Sequence, residues 1–246
     1  ARSAARLEHA HVVQVHDVGQ EEGAYYFSME FMQGGSLFDR LAHEGRIEAA
    51  RAVPILLDAM RGLAYLERCG VVHRDVKPDN LMFTAEGSCK LGDLGLAMSG
   101  AAQEGDGRHG VVGSPHYISP EQAMGKPVDG RSDLYSMGLT AYRTLSGRTP
   151  FTGKSVRELL EKQVREAPPP LRQAAPDVPR PLAEVVERMI RKDPAARFPT
   201  VQEALSAMEA VRDGRPIQRG VAPRGRVPRP LVSGSKGRMG RGPRPP

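Results

Sequence analysis

The segment His73-Arg74-Asp75-Val76-Lys77-Pro78-Asp79-Asn80 places a carboxylate, an ammonium and an amide close together in the chain. Beyond Asn80, Asp93-Leu94-Gly95 adds a second carboxylate beside a glycine. Mg²⁺ takes hard oxygen ligands and few protein contacts, and Asn80 with Asp93 can offer such oxygens. Moving a phosphoryl group needs positive charge on the transferring oxygens and an acceptor for the attacking hydroxyl's proton. Lys77 and Asp75 are of the right types for those two tasks. Taken singly, each of these residues is an ordinary solvated loop residue. Their shared spacing is what carries a chemical reading.

Such loops need elements to hold them. Val12–Val18 and Tyr25–Phe31 are short β-branched or aromatic runs separated by Gln20, Glu21, Glu22 and Gly23, which predicts a hairpin. After Gly34 and Gly35 the pattern turns helical. Val53, Leu56, Leu57, Met60, Leu63, Ala64 and Leu66 recur at helical spacing, so one face is buried. Pro54 fits only in a first turn, and Gly70 stands where a glycine ends a helix. Further helices are expected over Ser132–Ser146, Ser155–Arg165, Leu182–Arg191 and Val201–Arg212, with Ser132 and Ser155 as N-caps. The Pro-rich stretch Ala167–Pro181 reads as loop.

The 246 residues suffice to bury a core without disulfide or metal staples. A hydrophobic share of 39% with 26% charged residues excludes a collagen, a coiled coil and a wholly disordered chain. Cys69 and Cys89 cannot make a disulfide framework; both read as small buried hydrophobes in a reducing, cytoplasmic setting. His9, His11 and His16 cluster without a cysteine partner, and packing or surface roles outweigh a metal site. The net charge of +6 points first to nucleic acid. That reading fails once the charge is located. Residues 214–246 hold nine Lys or Arg and no acid, leaving 26 basic against 29 acidic residues in the body, a net of −3. The tail also carries seven Gly and seven Pro, the composition of a disordered linker. It suits a tether or a membrane-proximal stretch better than a nucleic-acid site.

The order of these elements resembles a eukaryotic-like, bacterial-type Ser/Thr protein kinase domain. His73–Asn80 resembles the catalytic loop, and Asp93-Leu94-Gly95 the metal-binding element with Leu for Phe. Gly113-Ser114-Pro115-His116-Tyr117-Ile118-Ser119-Pro120-Glu121 is similar to the substrate-binding P+1 loop and the APE element, with Ser for Ala. Asp133-Leu134-Tyr135-Ser136-Met137-Gly138 resembles the start of the large central helix. Arg197 falls where the family has the arginine that pairs with the APE glutamate, here Glu121. The likeness runs from about Leu7 to Arg212.

The resemblance implies an α+β, kinase-like fold whose C-lobe is mostly helical, with only the last strands of the N-lobe. It implies a division into an N-lobe remnant (1–32), a C-lobe (33–212) and a basic tail or juxtamembrane linker (213–246). ATP and Mg²⁺ are the implied cofactors. Asp75 would orient the substrate hydroxyl, Lys77 neutralise the γ-phosphate, and Asn80 and Asp93 hold the metal. Arg74 would receive a loop phosphate. Met29, Glu30, Met32 and Met82 would line the adenine pocket, and Ser114, His116 and Tyr117 the substrate platform. His73 and Leu94, with Val15 and Ala4, would join a hydrophobic spine, while Asp133, Glu121 and Arg197 would be structural. The segment from Asp93 to Glu121 contains no Thr, which leaves Ser99 as its expected phosphate acceptor.

The Gly-rich loop, the strand Lys and its partner Glu are absent before Leu7, so the chain is expected to be a piece of a longer kinase and weak alone. Two alternatives stand beside the enzyme: a non-catalytic kinase-like scaffold, and a small-molecule kinase. The platform residues and Arg197 argue against the latter. Protein substrates are the implied partners, a membrane span could follow the tail, and self-association is left open.

Overall fold

A computed structural model describes residues 7–21, 24–93 and 114–217. Strands β1 (Val15–Glu21) and β2 (Ala24–Met29) pair antiparallel, from Val15 opposite Met29 to Glu21 opposite Ala24. The expected hairpin is therefore present, with a bulge between Val15 and Asp17. The chain then enters a helical body through α1 (Leu37–Glu44), a short element that the periodicity did not resolve. Its start is fixed by a reciprocal cap. Asp39 N–H donates to Ser36 Oγ at 3.1 Å, and Ser36 N–H donates to the Asp39 carboxylate at 2.8 Å.

The apolar stripe forms α2 (Ala49–Arg68), and Val53, Leu56, Leu57, Met60, Leu63 and Ala64 are all buried on it. Each of the Val, Leu and Met side chains contributes about 1.5–3 kcal/mol by leaving water. Pro54 corrects the first-turn expectation, for it sits inside the helix. Its missing N–H would have bonded the carbonyl of Ala50, and both residues are exposed, so water can take that carbonyl. Gly70 follows the last turn at φ +71°, the left-handed stop expected of it. Cys69 beside it is exposed rather than buried; only Cys89 is a core thiol.

Two short strands, β3 (Leu81–Phe83) and β4 (Cys89–Leu91), form a second antiparallel pair. Strand β4 lies against α2 and β3 against α1, and a parallel bridge joins Leu91 to Val12. The helices α3 (Pro120–Ala123), α4 (Gly130–Ser146), α5 (Val156–Arg165), α6 (Leu171–Ala174), α7 (Arg180–Met189) and α8 (Val201–Arg212) complete the body. Helix α6 places one turn inside the Pro-rich stretch expected to be loop.

Helix α4 is buried nearly all round, as a helix at the centre of a domain must be. Its interior hydroxyls are satisfied by bonds to the preceding turn: Thr140 to Ser136 O at 2.9 Å and Thr144 to Thr140 O at 2.8 Å. The N-cap is Asp129, whose carboxylate accepts from the Arg131 N–H at 2.9 Å; Ser132 already lies inside the helix, and its hydroxyl donates to Glu121 Oε1 at 2.6 Å. Among the described residues no helix is long and apolar enough to cross a membrane. Ala4, Leu94, Ser99 and the tail from 218 onward lie outside the described residues.

Candidate active site

The loop between α2 and β3 is held by its main chain. The N–H groups of His73 and Arg74 each donate to one oxygen of Asp133, both at 2.8 Å. Full burial pushes the Asp133 carboxyl above its ordinary range, and His73 with the two N–H donors offsets this only in part. The His73 ring is buried too. Its Nδ1 accepts from the Asp75 N–H at 3.3 Å, which leaves Nε2 to donate to the Gly92 carbonyl at 2.9 Å. Arg74 takes the left-handed conformation at φ +70°, a strained choice for a residue with a Cβ. Two outside anchors hold it there: Asp133 on its N–H, and Gln122 Nε2, which donates to its carbonyl at 2.8 Å.

Asp75 is the hub of the site. Its Oδ2 accepts from Lys77 Nζ at 2.6 Å and from Asn80 Nδ2 at 3.3 Å, while Oδ1 accepts from the Ser114 N–H at 3.2 Å. Lys77 Nζ also donates to Ser114 Oγ at 2.9 Å. One carboxylate, one ammonium and one hydroxyl thus meet within bonding distance, from positions 39 residues apart. Asn80 ends a 3₁₀ turn, Pro78–Asn80, and its Nδ2 donates to the Asp75 carbonyl at 2.8 Å. With that amide nitrogen engaged, Oδ1 is the end of the side chain available to a cation. Gly92 ties the second carboxylate to the same platform: its N–H donates to the Asn80 carbonyl at 2.8 Å, and Asp93 follows at φ +53°. An amide oxygen and a carboxylate on neighbouring loops are the donor set that suits Mg²⁺.

The four residues expected on the adenine side differ in exposure. Met32 is buried and Met82 half-buried, with the Met82 sulfur 2.9 Å from where a Cβ on Gly92 would stand. Met29 is 44% exposed, and Phe31 beside it 82%. The Glu30 side chain is engaged by Lys90 Nζ at 2.6 and 2.8 Å, so the segment after β2 is pinned to β4. Burial works to raise the Glu30 pKa, but the Lys90 bonds and the Gln14 N–H outweigh it and hold it below the ordinary value.

Of the residues expected to form the substrate platform, Ser114 touches both Asp75 and Lys77, His116 is exposed, and Tyr117 packs against the core. Burial pushes the Tyr117 hydroxyl up to about 12. The next element is fastened by Glu121 and Arg197. Arg197 donates from Nη1 to Oε1 at 2.7 Å and from Nη2 to Oε2 at 2.8 Å, and it also donates to the carbonyls of Arg131, Arg191 and Lys192. Burial favours a neutral Glu121, yet Arg197 and the Ser132 hydroxyl outweigh it and hold its pKa below the usual range. Gln122 was not singled out from the sequence. The signal was present, because Ser119…Gln122 has the spacing of a reciprocal cap, which the structure forms. Leu94 and Ser99 belong to the segment outside the described residues, so neither is placed.

The protein kinase domain profile matches residues 1–208. The chain is 36% identical to the serine/threonine-protein kinase PknA of Corynebacterium glutamicum, covering 100% of this chain and 53% of that protein. It is 35% identical to PknA of Mycobacterium tuberculosis, covering 97% of this chain and 57% of the relative. Against the serine/threonine-protein kinase drp72 of Corynebacterium efficiens it is 38% identical over 89% of this chain and 42% of that protein. The chain thus spans about half the length of the curated relatives it matches. With the loop, the platform and the buried ion pair arranged as described, the chain belongs to the protein kinase domain family.

Proposed function

We propose that the chain carries the catalytic loop and substrate platform of a Ser/Thr protein kinase. It would transfer the γ-phosphoryl group of ATP to Ser or Thr hydroxyls of proteins. The observation that carries this reading is the junction of Asp75, Lys77 and Ser114. Asp75, anchored through both oxygens, orients the incoming hydroxyl and accepts its proton. Lys77 holds positive charge beside the same carboxylate, where the transferring oxygens gain charge. Asn80 and Asp93 would hold Mg²⁺, which neutralises the phosphates and aligns them. Met32 and Met82 supply apolar walls for the adenine, with Met29 and Glu30 on the strand side.

Ser114, His116 and Tyr117 form the surface on which the substrate's next residue rests. Arg74 Nε is buried and has no hydrogen-bond partner among the described residues, which suits it to an anion such as a loop phosphate, with Ser99 as the acceptor. We divide the chain into an N-lobe remnant (1–32), a C-lobe (33–212) and a basic tail (213–246). The tail acts as a tether near an anionic membrane surface.

The test is phosphate transfer from radiolabelled ATP to a panel of Ser, Thr and Tyr peptides by the full-length parent, with Mg²⁺ present and then chelated. Incorporation into Ser and Thr peptides, lost on chelation and lost in Asp75→Asn, is the expected result. Binding of ATP with no transfer to any peptide would overturn it.

A further inference from the structure

Gln163 lies in the last turns of α5, is polar, and is completely buried. Both ends of its side chain are engaged. Nε2 donates to the His116 carbonyl at 2.9 Å and to the Pro115 carbonyl at 3.3 Å. Oε1 accepts from the Tyr135 hydroxyl at 2.8 Å. Behind Tyr135 stands Lys192. Its ammonium has three protons and finds three acceptors: Tyr135 Oη at 2.8 Å, the Gln163 carbonyl at 2.7 Å and the Lys162 carbonyl at 3.3 Å. The ring of Phe151 closes the site, 4.1 Å from Nζ.

The direction of donation runs one way, from Lys192 through Tyr135 and Gln163 to the platform. Tyr135 accepts from the ammonium and spends its single proton on Oε1. A flipped amide would set Oε1 against two carbonyl oxygens, so the network admits one orientation. Three elements distant in sequence therefore converge on two consecutive carbonyls beside Ser114, the residue in contact with Asp75 and Lys77.

We propose that Gln163 is a positioning residue for the protein substrate, fixing the Pro115–His116 segment of the platform, with Tyr135 and Lys192 locking its amide. This rests on the kinase reading above. It assigns to α5 a part in substrate recognition that does not involve touching ATP or the metal.

The test uses the full-length parent with Gln163→Met, which keeps the length and apolar volume but has no donor, and Tyr135→Phe, which keeps the packing and removes the lock. For Gln163→Met the peptide KM is expected to rise on the order of tenfold with the KM for ATP unchanged, the scale of one or two lost hydrogen bonds. Tyr135→Phe should move the peptide KM the same way by about threefold. Hydrogen exchange should quicken at the amides of Ser114 and of residues 116–119 in both. An unchanged peptide KM with unchanged exchange in a folded variant overturns the proposal, as do equal rises in both KM values. If the unaltered parent transfers no phosphate, the kinase reading fails on its own, and the exchange measurement still decides whether Gln163 holds the platform.

Discussion

Arg197 and Glu121, 76 residues apart in sequence, meet in a two-pronged ion pair from which water is almost wholly excluded. Every other N–H direction of the guanidinium used by the fold ends on a main-chain carbonyl. Truncating Arg197→Met leaves Glu121 charged and buried, and such losses cost about 3–5 kcal/mol in urea denaturation. Replacing both partners with apolar residues should cost less than the sum of the single changes. The pair also sets an acid limb. Because Glu121 titrates below its ordinary range in the folded protein, its stabilisation is present above that range and is lost as pH falls through the lowered value. Glu121→Gln should flatten the acid side of a stability-against-pH curve.

Asp75→Asn keeps the size of the side chain but cannot take a proton. Phosphate transfer should fall by about 10²–10⁴, with the melting temperature little changed. Lys77→Met should cost on the order of 10² or more, since it removes the charge beside the transferring oxygens. Peptide-phosphorylation rates and thermal melts of the same preparations check both.

Ser114 makes two separate contacts, and they can be tested apart. Ser114→Ala removes the hydroxyl that Lys77 engages and leaves the N–H to Asp75 intact. A fall in kcat of about tenfold is expected, and Ser114→Thr, which keeps the hydroxyl, should restore it.

Burial, aided by the charge of Arg197, lowers the Lys192 ammonium to about 7, with Glu166 opposing. The groups facing it are Tyr135 from α4, Arg197 from the segment after α7, and Glu166 at the end of α5. A lysine whose folded pKa is lowered costs the folded state free energy, in full for as long as the folded state must carry its proton. The penalty is full below about 7 and fades as pH rises toward the ordinary 10.5. Stability should therefore rise with pH across this window in the unaltered protein, and Lys192→Met should remove that rise. Denaturant midpoints at several pH values provide the measurement.

Gly62 faces the backbone of the segment that precedes β1. A Cβ there would stand 2.3 Å from the His11 carbonyl oxygen, and a backbone atom cannot swing away. Gly62→Ala should destabilise by about 1–3 kcal/mol despite the better helix propensity of alanine, as an equilibrium unfolding midpoint would show.

The loop residues with fixed spacing, His73 to Asn80 with Asp93, were legible because chemistry constrains both their types and their intervals. The apolar stripe of α2 was legible because one-sided burial leaves a period. Helix α1 was not resolved, since eight residues with two buried leucines make too short a pattern. Pro54 departs from the first-turn place its type predicts, because a proline costs a helix one hydrogen bond and a water-facing site absorbs that cost. Ser132 has the residue type of a cap, but the helix begins two residues earlier, where Asp129 takes that place. Gln163, Tyr135 and Lys192 could not be joined in advance, because nothing local to any of them signals the other two.

Asp133 grips the N–H groups of residues 73 and 74, not their side chains. The path of the loop is thereby separated from the identity of residue 74. What that side chain does can change while the geometry delivered to Asp75 stays the same. Position 74 can thus exchange its side chain without rebuilding the machinery next to it.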